Sequence, residues 1–217
     1  LIHPSHHGPQ LQELGEASVL ITGIKSRPVY DHLTPFPEAL LHLVVGQGSG
    51  GTAMSRLIAE IAPGADIEVM YSTESFTGQN HLAALKDAAP GRFDWFASNA
   101  ALSQALHDRL SQAFMGTRLY LAGSESFIGL AMKVARQFDL NADEVLREHC
   151  GSLVRRVWCV HCDTYSENIT QRVFSCSGCG KPLVVRDHYS RLMGAFMGVQ
   201  GDAEVPGELP EASELDT

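Results

Sequence analysis

The 217-residue sequence predicts an α/β protein: a parallel, doubly wound sheet followed by a small β module built on four cysteines. Two observations carry that prediction. From Leu41 to about Cys150, short apolar runs alternate with longer stretches whose apolar residues recur every three or four positions, the pattern of strands linked by crossover helices. Beyond them stand two Cys-x2-Cys pairs separated by thirteen residues, the spacing of two facing metal knuckles.

Residues 1–40 are an N-terminal segment. Its His3, His6 and His7, set among Pro4, Gly8 and Pro9, read as a frayed terminus or expression remnant rather than a metal cluster. The α/β domain spans residues 41–150. Leu41 to Val45 is a buried strand running into the glycine-rich turn Gly46 to Gly51. Glycines there let backbone N–H groups approach an anion at a helix N-terminus, or simply let the chain turn tightly. Met54, Leu57, Ile58 and Ile61 follow on one helical face, stopped by Pro63 and Gly64. Ile67 to Tyr71 is a strand, residues 80–88 a helix, and Phe93 to Phe96 a short strand. Leu102, Leu106, Leu110 and Phe114 line a long helix ending near Gly116, and Arg118 to Ala122 is a further strand. Phe127, Leu130, Ala131, Val134 and Phe138 form the next helical stripe. Asn141 with Glu144 resembles a capping box, which predicts a last helix reaching toward Cys150.

Residues 151–200 form the four-cysteine metal module with a docking segment, expected to be a small rubredoxin-like or zinc-ribbon β fold. Each Cys-x2-Cys turn converges two thiolates, so Cys159, Cys162, Cys176 and Cys179 make a tetrahedral S4 site. Gly180 suits the left-handed turn after the second pair. Thr164, Tyr165, Ile169, Val173 and Phe174 read as a hairpin that brings the knuckles together. Cys150 stands outside the spacing and reads as a packing residue at a helix end; His161, between two ligands, points away from the metal. The softness of four thiolates admits zinc or a rubredoxin-type iron. The second knuckle, Cys176 to Leu183, lacks the proline usual after a rubredoxin cysteine, which favours zinc. Asp187 and His188 could pair, but without a nucleophile beside them they read as part of a solvated or subunit-facing charge cluster. Met193, Phe196, Met197 and Val199 then form a segment that docks on the first domain or on another chain.

Charge narrows the function classes. The formal net charge is −9, with 44% hydrophobic and 19% charged residues. Six of the 25 acids fall in the tail, residues 201–217, which holds no Lys or Arg; the body keeps 19 acids against 16 basic residues. The tail reads as solvated, or as an arm that orders on a partner. An acidic chain argues against a nucleic-acid binder, and no apolar run reaches the length of a bilayer span. A cytoplasmic location follows as an expectation, and at such a location reduced cysteines are the rule.

The order of the elements resembles the nucleotide-binding half of the ferredoxin–NADP reductase family. Gln47 to Met54 is similar to its glycine-rich turn, Tyr120 to Phe127 to its strand ending in Cys-Gly-Pro, and Glu148-His149-Cys150 to its closing Glu-x-Phe. Ala53, Ala122 and Ser124 depart from that pattern, and Glu74 offers an acid where the family often has a base. The resemblance therefore implies a reductase fold with an eroded NAD(P)H site and no cofactor-binding residues. With the four cysteines, the Arg186 to Arg191 stretch and the Met193 to Gly198 ending, the chain from Leu41 to Gly207 resembles the DmmA-like family, small subunits of bacterial dimethylamine monooxygenase. This resemblance implies a heteromeric enzyme that turns dimethylamine, O2 and NAD(P)H into methylamine and formaldehyde. One partner would bear haem; a reductase partner would bear FMN and a [2Fe-2S] cluster. This chain would have no catalytic residue and would serve to dock its partners. The alternatives are an NAD(P)H-using reductase and a rubredoxin-type electron carrier.

Overall fold

A computed structural model describes residues 26–89, 91–140 and 142–215. His3, His6, His7 and Asn141 lie outside the described residues. Strand β1 (Leu41–Gln47) is buried along its whole length. It is flanked by β2 (Ile67–Ser72), β3 (Arg92–Phe96), β4 (Thr117–Gly123) and β5 (Val145–His149) in a wholly parallel sheet of order β3-β2-β1-β4-β5. Successive side chains of a strand face opposite sides, and here both sides are covered. Leu43, Val45, Leu119 and Leu121 pack under α3 (Asn99–Leu110) and α4 (Glu125–Ala135). Val44, Val69 and Tyr120 pack under α1 (Gly51–Glu60) and α2 (Leu82–Ala88). The chain winds outward from β1 to β3, returns through α3, and lays β4 on the other side of β1. At that reversal the connections leaving the carboxyl ends of β1 and β4 run to opposite faces of the sheet, which is where sheets of this kind open a crevice.

Two local readings are corrected. The α3 stripe holds for Leu102, Leu106 and Leu110, all buried, but the helix stops at Leu110 and Phe114 is 53% exposed in the following turn. Backbone bonds from Ala113 N to Leu110 O and Thr117 N to Phe114 O turn the chain before Gly116, whose φ of 94° no further helix could use. The helix expected from the Asn141–Glu144 capping box is also absent. Ala142–Glu144 makes a single 3-10 turn and Val145–His149 is β5. Pairing Val145 to His149 with Leu119 to Gly123 completes the sheet edge, so tertiary pairing overrides the local helix signal. Cys150 accordingly sits past a strand end, not a helix end, its N–H donating to Gly123 O at 2.8 Å.

The second sheet contains β6 (Arg155–Cys159), β7 (Tyr165–Ile169), β8 (Val173–Ser175), β9 (Pro182–Ser190) and β10 (Ala195–Gln200) in the order β7-β6-β10-β9-β8. The residues from Thr164 to Phe174 are therefore not one hairpin. β7 folds back on β6 through the first knuckle, and β8 and β9 flank the second, so each knuckle is itself a hairpin turn. Met193 to Val199, expected to dock on the first domain or on another chain, supplies the central strand β10, with Phe196 3% exposed, and its Gly194 also packs against Gly129 of α4 in the first domain. The acidic tail is likewise not free through residue 215: Arg172 N donates to Ser213 O, Leu215 N donates to Thr170 O, and Leu215 is buried against the module's core. Ahead of β1, Leu33 is buried on the α1 face, and Ser26 bridges His188 of β9. Among the described residues no helix is long and apolar enough to cross a membrane.

Candidate metal centre and crevice

Cys159 closes β6, Cys176 follows β8, and both are buried; Cys162 is half-buried and Cys179 exposed. The two knuckles share one backbone pattern. Cys159 N donates to Thr164 O and Asp163 N to Cys159 O; Cys176 N donates to Lys181 O and Gly180 N to Cys176 O, all within 2.9–3.0 Å. Asp163 and Gly180 hold matching left-handed φ values of 58° and 71°. The turns place Cys159 Sγ 3.9 Å from Cys179 Sγ and Cys162 Sγ 3.6 Å from Cys176 Sγ, with all four sulfurs within 4.8 Å of one another. These separations are far too long for disulfides, whose S–S bond is about 2.05 Å. A tetrahedron with metal–sulfur bonds of about 2.3 Å has edges of about 3.8 Å, so the cluster fits one thiophilic ion. Hydrogen bonds from the Thr164 hydroxyl and backbone draw the Cys162 thiol down to about 6, while burial pushes Cys159 up to about 11. His161 is exposed and outside the cluster. Cys150 is also outside it, its thiol pushed up to about 11 by burial and the Glu148 carboxylate.

At the sheet's reversal point the chain occupies the crevice with its own atoms. Gln47, ending β1, donates from Nε2 to Glu74 O at 2.7 Å and accepts at Oε1 from Ser124 N at 3.2 Å. Glu74 accepts from Asn99 N, at the start of α3, at 2.7 Å. Such helix-terminal N–H groups are the donors a bound phosphate uses. The turn glycines are backed by protein as well. A Cβ on Gly50 would lie 2.2 Å from Ala122 O, and one on Gly51 2.3 Å from His81 Cβ. What remains is a crevice of about 290 Å³ whose described lining includes Glu74 and Glu167 but neither Lys nor Arg.

A second cleft, of about 410 Å³, lies between the modules and is lined by Tyr30, Glu125, His149, Arg155 and Phe196, among others. Behind it, Asp187 Oδ1 accepts from Arg155 Nη1 at 2.7 Å and from Arg27 Nη2 at 2.9 Å, with Arg172 at 4.0 Å. Burial opposes the charge on Asp187, but the bonds from Arg27 and Arg155 outweigh it and hold the carboxyl below its ordinary range. Burial raises Glu125, which accepts from the Tyr30 hydroxyl at 3.4 Å, and lowers His149, whose Nε2 is buried without a hydrogen-bond partner. The Asp187–His188 pair does not form, because consecutive strand residues face opposite sides; His188 instead meets Ser26 Oγ at 3.1 Å. Nor is Asp187 solvated. Nothing in the spacing announces this cluster: its arginines come from the N-terminal segment, β6 and the approach to β8.

Comparison with known proteins follows this division. The model of the dimethylamine monooxygenase subunit DmmA-like N-terminal domain matches residues 22–145, and that of the C-terminal domain matches residues 156–199. The chain belongs to the DmmA-like family. A relative of this DmmA-like chain is the heme-dependent oxidative N-demethylase delta subunit of Ectopseudomonas mendocina (strain ymp), 34% identical over 181 residues, which span 83% of this chain and 91% of the relative. Among solved structures, full-length CYP116B46 from Tepidiphilus thermophilus is 21% identical over 61% of the DmmA-like chain and 19% of its own, with a TM-score of 0.40. An intact type IV self-sufficient cytochrome P450 monooxygenase is 19% identical over 81% of this chain and 22% of its own, with a TM-score of 0.44. Likenesses this partial decide neither fold nor function.

Proposed function

We propose that this chain is a non-catalytic docking subunit of a haem-dependent dimethylamine monooxygenase, an assembly that converts dimethylamine, O2, NAD(P)H and a proton to methylamine, formaldehyde, NAD(P)+ and water. Haem belongs to one partner; flavin and an iron–sulfur cluster belong to a reductase partner. The observation that carries the reading is the crevice at the sheet's reversal point, where the chain's own side chains take backbone donors and the described lining offers no cation. A reductase-like domain whose Gln47 and Glu74 take the Ser124 and Asn99 N–H groups, and whose described crevice lining holds no Lys or Arg, is suited to holding partners and not to taking hydride from NAD(P)H. The family and the relative's status as a subunit support the same reading.

Within the chain, Cys159, Cys162, Cys176 and Cys179 would hold one structural zinc. Four thiolates complete the shell and leave no position for a catalytic water. The ion, when bound, supplies a cross-link between two hairpins that otherwise meet only through small apolar clusters. The test is co-expression with the partner subunits, followed by metal and haem analysis of each chain. Expected are one zinc in this chain, no visible colour, no micromolar NADH binding and no demethylation by the chain alone. Turnover by the isolated chain would sink the docking role, and rubredoxin-like absorption would replace zinc with iron and place the chain in the electron path.

A further inference from the structure

At the foot of the parallel sheet, opposite the crevice, the chain exposes apolar surface with no internal partner among the described residues. Met115 is 94% exposed, Phe114 53% and Leu40 63%. They are neighbours, since Leu40 N donates to Gly116 O at 2.9 Å and the Leu40 side chain covers Gly116. Beside them runs a groove of about 430 Å³ lined by Leu110, Phe114, Met115, Phe138 and Leu140. On its wall Thr117, 2% exposed, keeps a buried hydroxyl without a hydrogen-bond partner. Large exposed apolar side chains gathered in one place mark interaction sites more often than chance.

The charge around the groove is one-sided. Asp139 and Glu144 line it, and Asp143 is exposed next to Glu144. Arg118 pairs with Glu144 at 3.1 Å, which leaves the two aspartates. The helix running to Leu110 and the 3-10 turn running to Phe138 both end here, adding the negative ends of their dipoles. We propose that this groove docks a partner subunit of the complex through an apolar segment flanked by Lys or Arg. A second copy of this acidic chain would bring the same negative rim and be repelled. The proposal rests on the subunit reading above.

The test uses the full chain co-expressed with its partner subunits. Met115→Glu removes an apolar contact from a side chain that touches almost nothing, so thermal stability should stay at the wild-type value. Assembly should weaken by about 30-fold or more, the effect of a hot-spot residue. Asp143→Lys should also weaken assembly, and wild-type affinity should fall as salt rises. If wild type assembles and Met115→Glu assembles equally tightly, the groove is not the interface and the proposal falls while the subunit reading stands. If wild type captures no partner, the subunit reading falls and takes the proposal with it. An isolated chain that dimerises, and becomes monomeric on Met115→Glu, would assign the groove to a second copy and overturn the basic partner.

Discussion

Gly178 lies in the second knuckle where it meets the first. A Cβ built there would sit 2.1 Å from Thr164 Oγ1, 2.8 Å from Thr164 Cβ and 3.1 Å from Cys162 Sγ. Carbon atoms in contact prefer about 3.5–4.0 Å, so Gly178→Ala forces the knuckles apart by about 1 Å. Rotating Thr164 moves its hydroxyl but not its Cβ, and the strain stays. A zinc–thiolate shell tolerates about 0.2 Å per bond. The present sulfur separations of 3.6 and 3.9 Å already match the tetrahedron, leaving little slack. Zinc affinity should therefore drop by about 10–100-fold, roughly 1.4–2.8 kcal/mol, comparable to losing a supporting contact around a metal. Competition with a chromophoric chelator on the full chain reads that loss directly. The exposed neighbour Ser177→Ala serves as control and should bind zinc like wild type. Gly178→Ala with wild-type affinity would show that the knuckles do not close on a metal as argued.

Three further outcomes follow from the packing. Asp187→Asn leaves three arginines facing a neutral amide, and breaking a buried pair of this kind should cost about 3–5 kcal/mol in a denaturant titration; a loss below about 1 kcal/mol would mean the cluster is hydrated. Glu125 has its folded pKa raised by burial, so its stabilising contribution is present below the ordinary carboxylate range and is lost as pH rises through the folded value. Glu125→Gln cannot ionise, and its melting temperature should gain on wild type between pH 4 and pH 8; parallel curves would contradict the assignment. Leu215→Ala, at a side chain 2% exposed, should cost about 2–5 kcal/mol in the β module. An unchanged melting temperature would return the tail to solvent.

The sequence by itself determined the strand–helix alternation from Leu41 to Phe138, because apolar periodicity records which face of each element is buried, and burial is local to the element. It also determined the four-cysteine set, since a knuckle needs only its own x2 spacing and a turn residue such as Gly180. Tertiary structure decided what depends on a partner remote in the chain. Val145–His149 became a strand because β4 offered an open edge, against its capping signal. The two knuckles meet through β10 inserted between their hairpins, not through a shared loop, and Met193 to Val199 was drawn inward to fill that place. Gly50 and Gly51 meet Ala122 and His81 where a Cβ would stand, a packing demand for glycine that no local spacing shows. Asp187 gathered Arg27, Arg155 and Arg172 across long sequence separations because a buried carboxylate must find positive partners wherever the fold brings them.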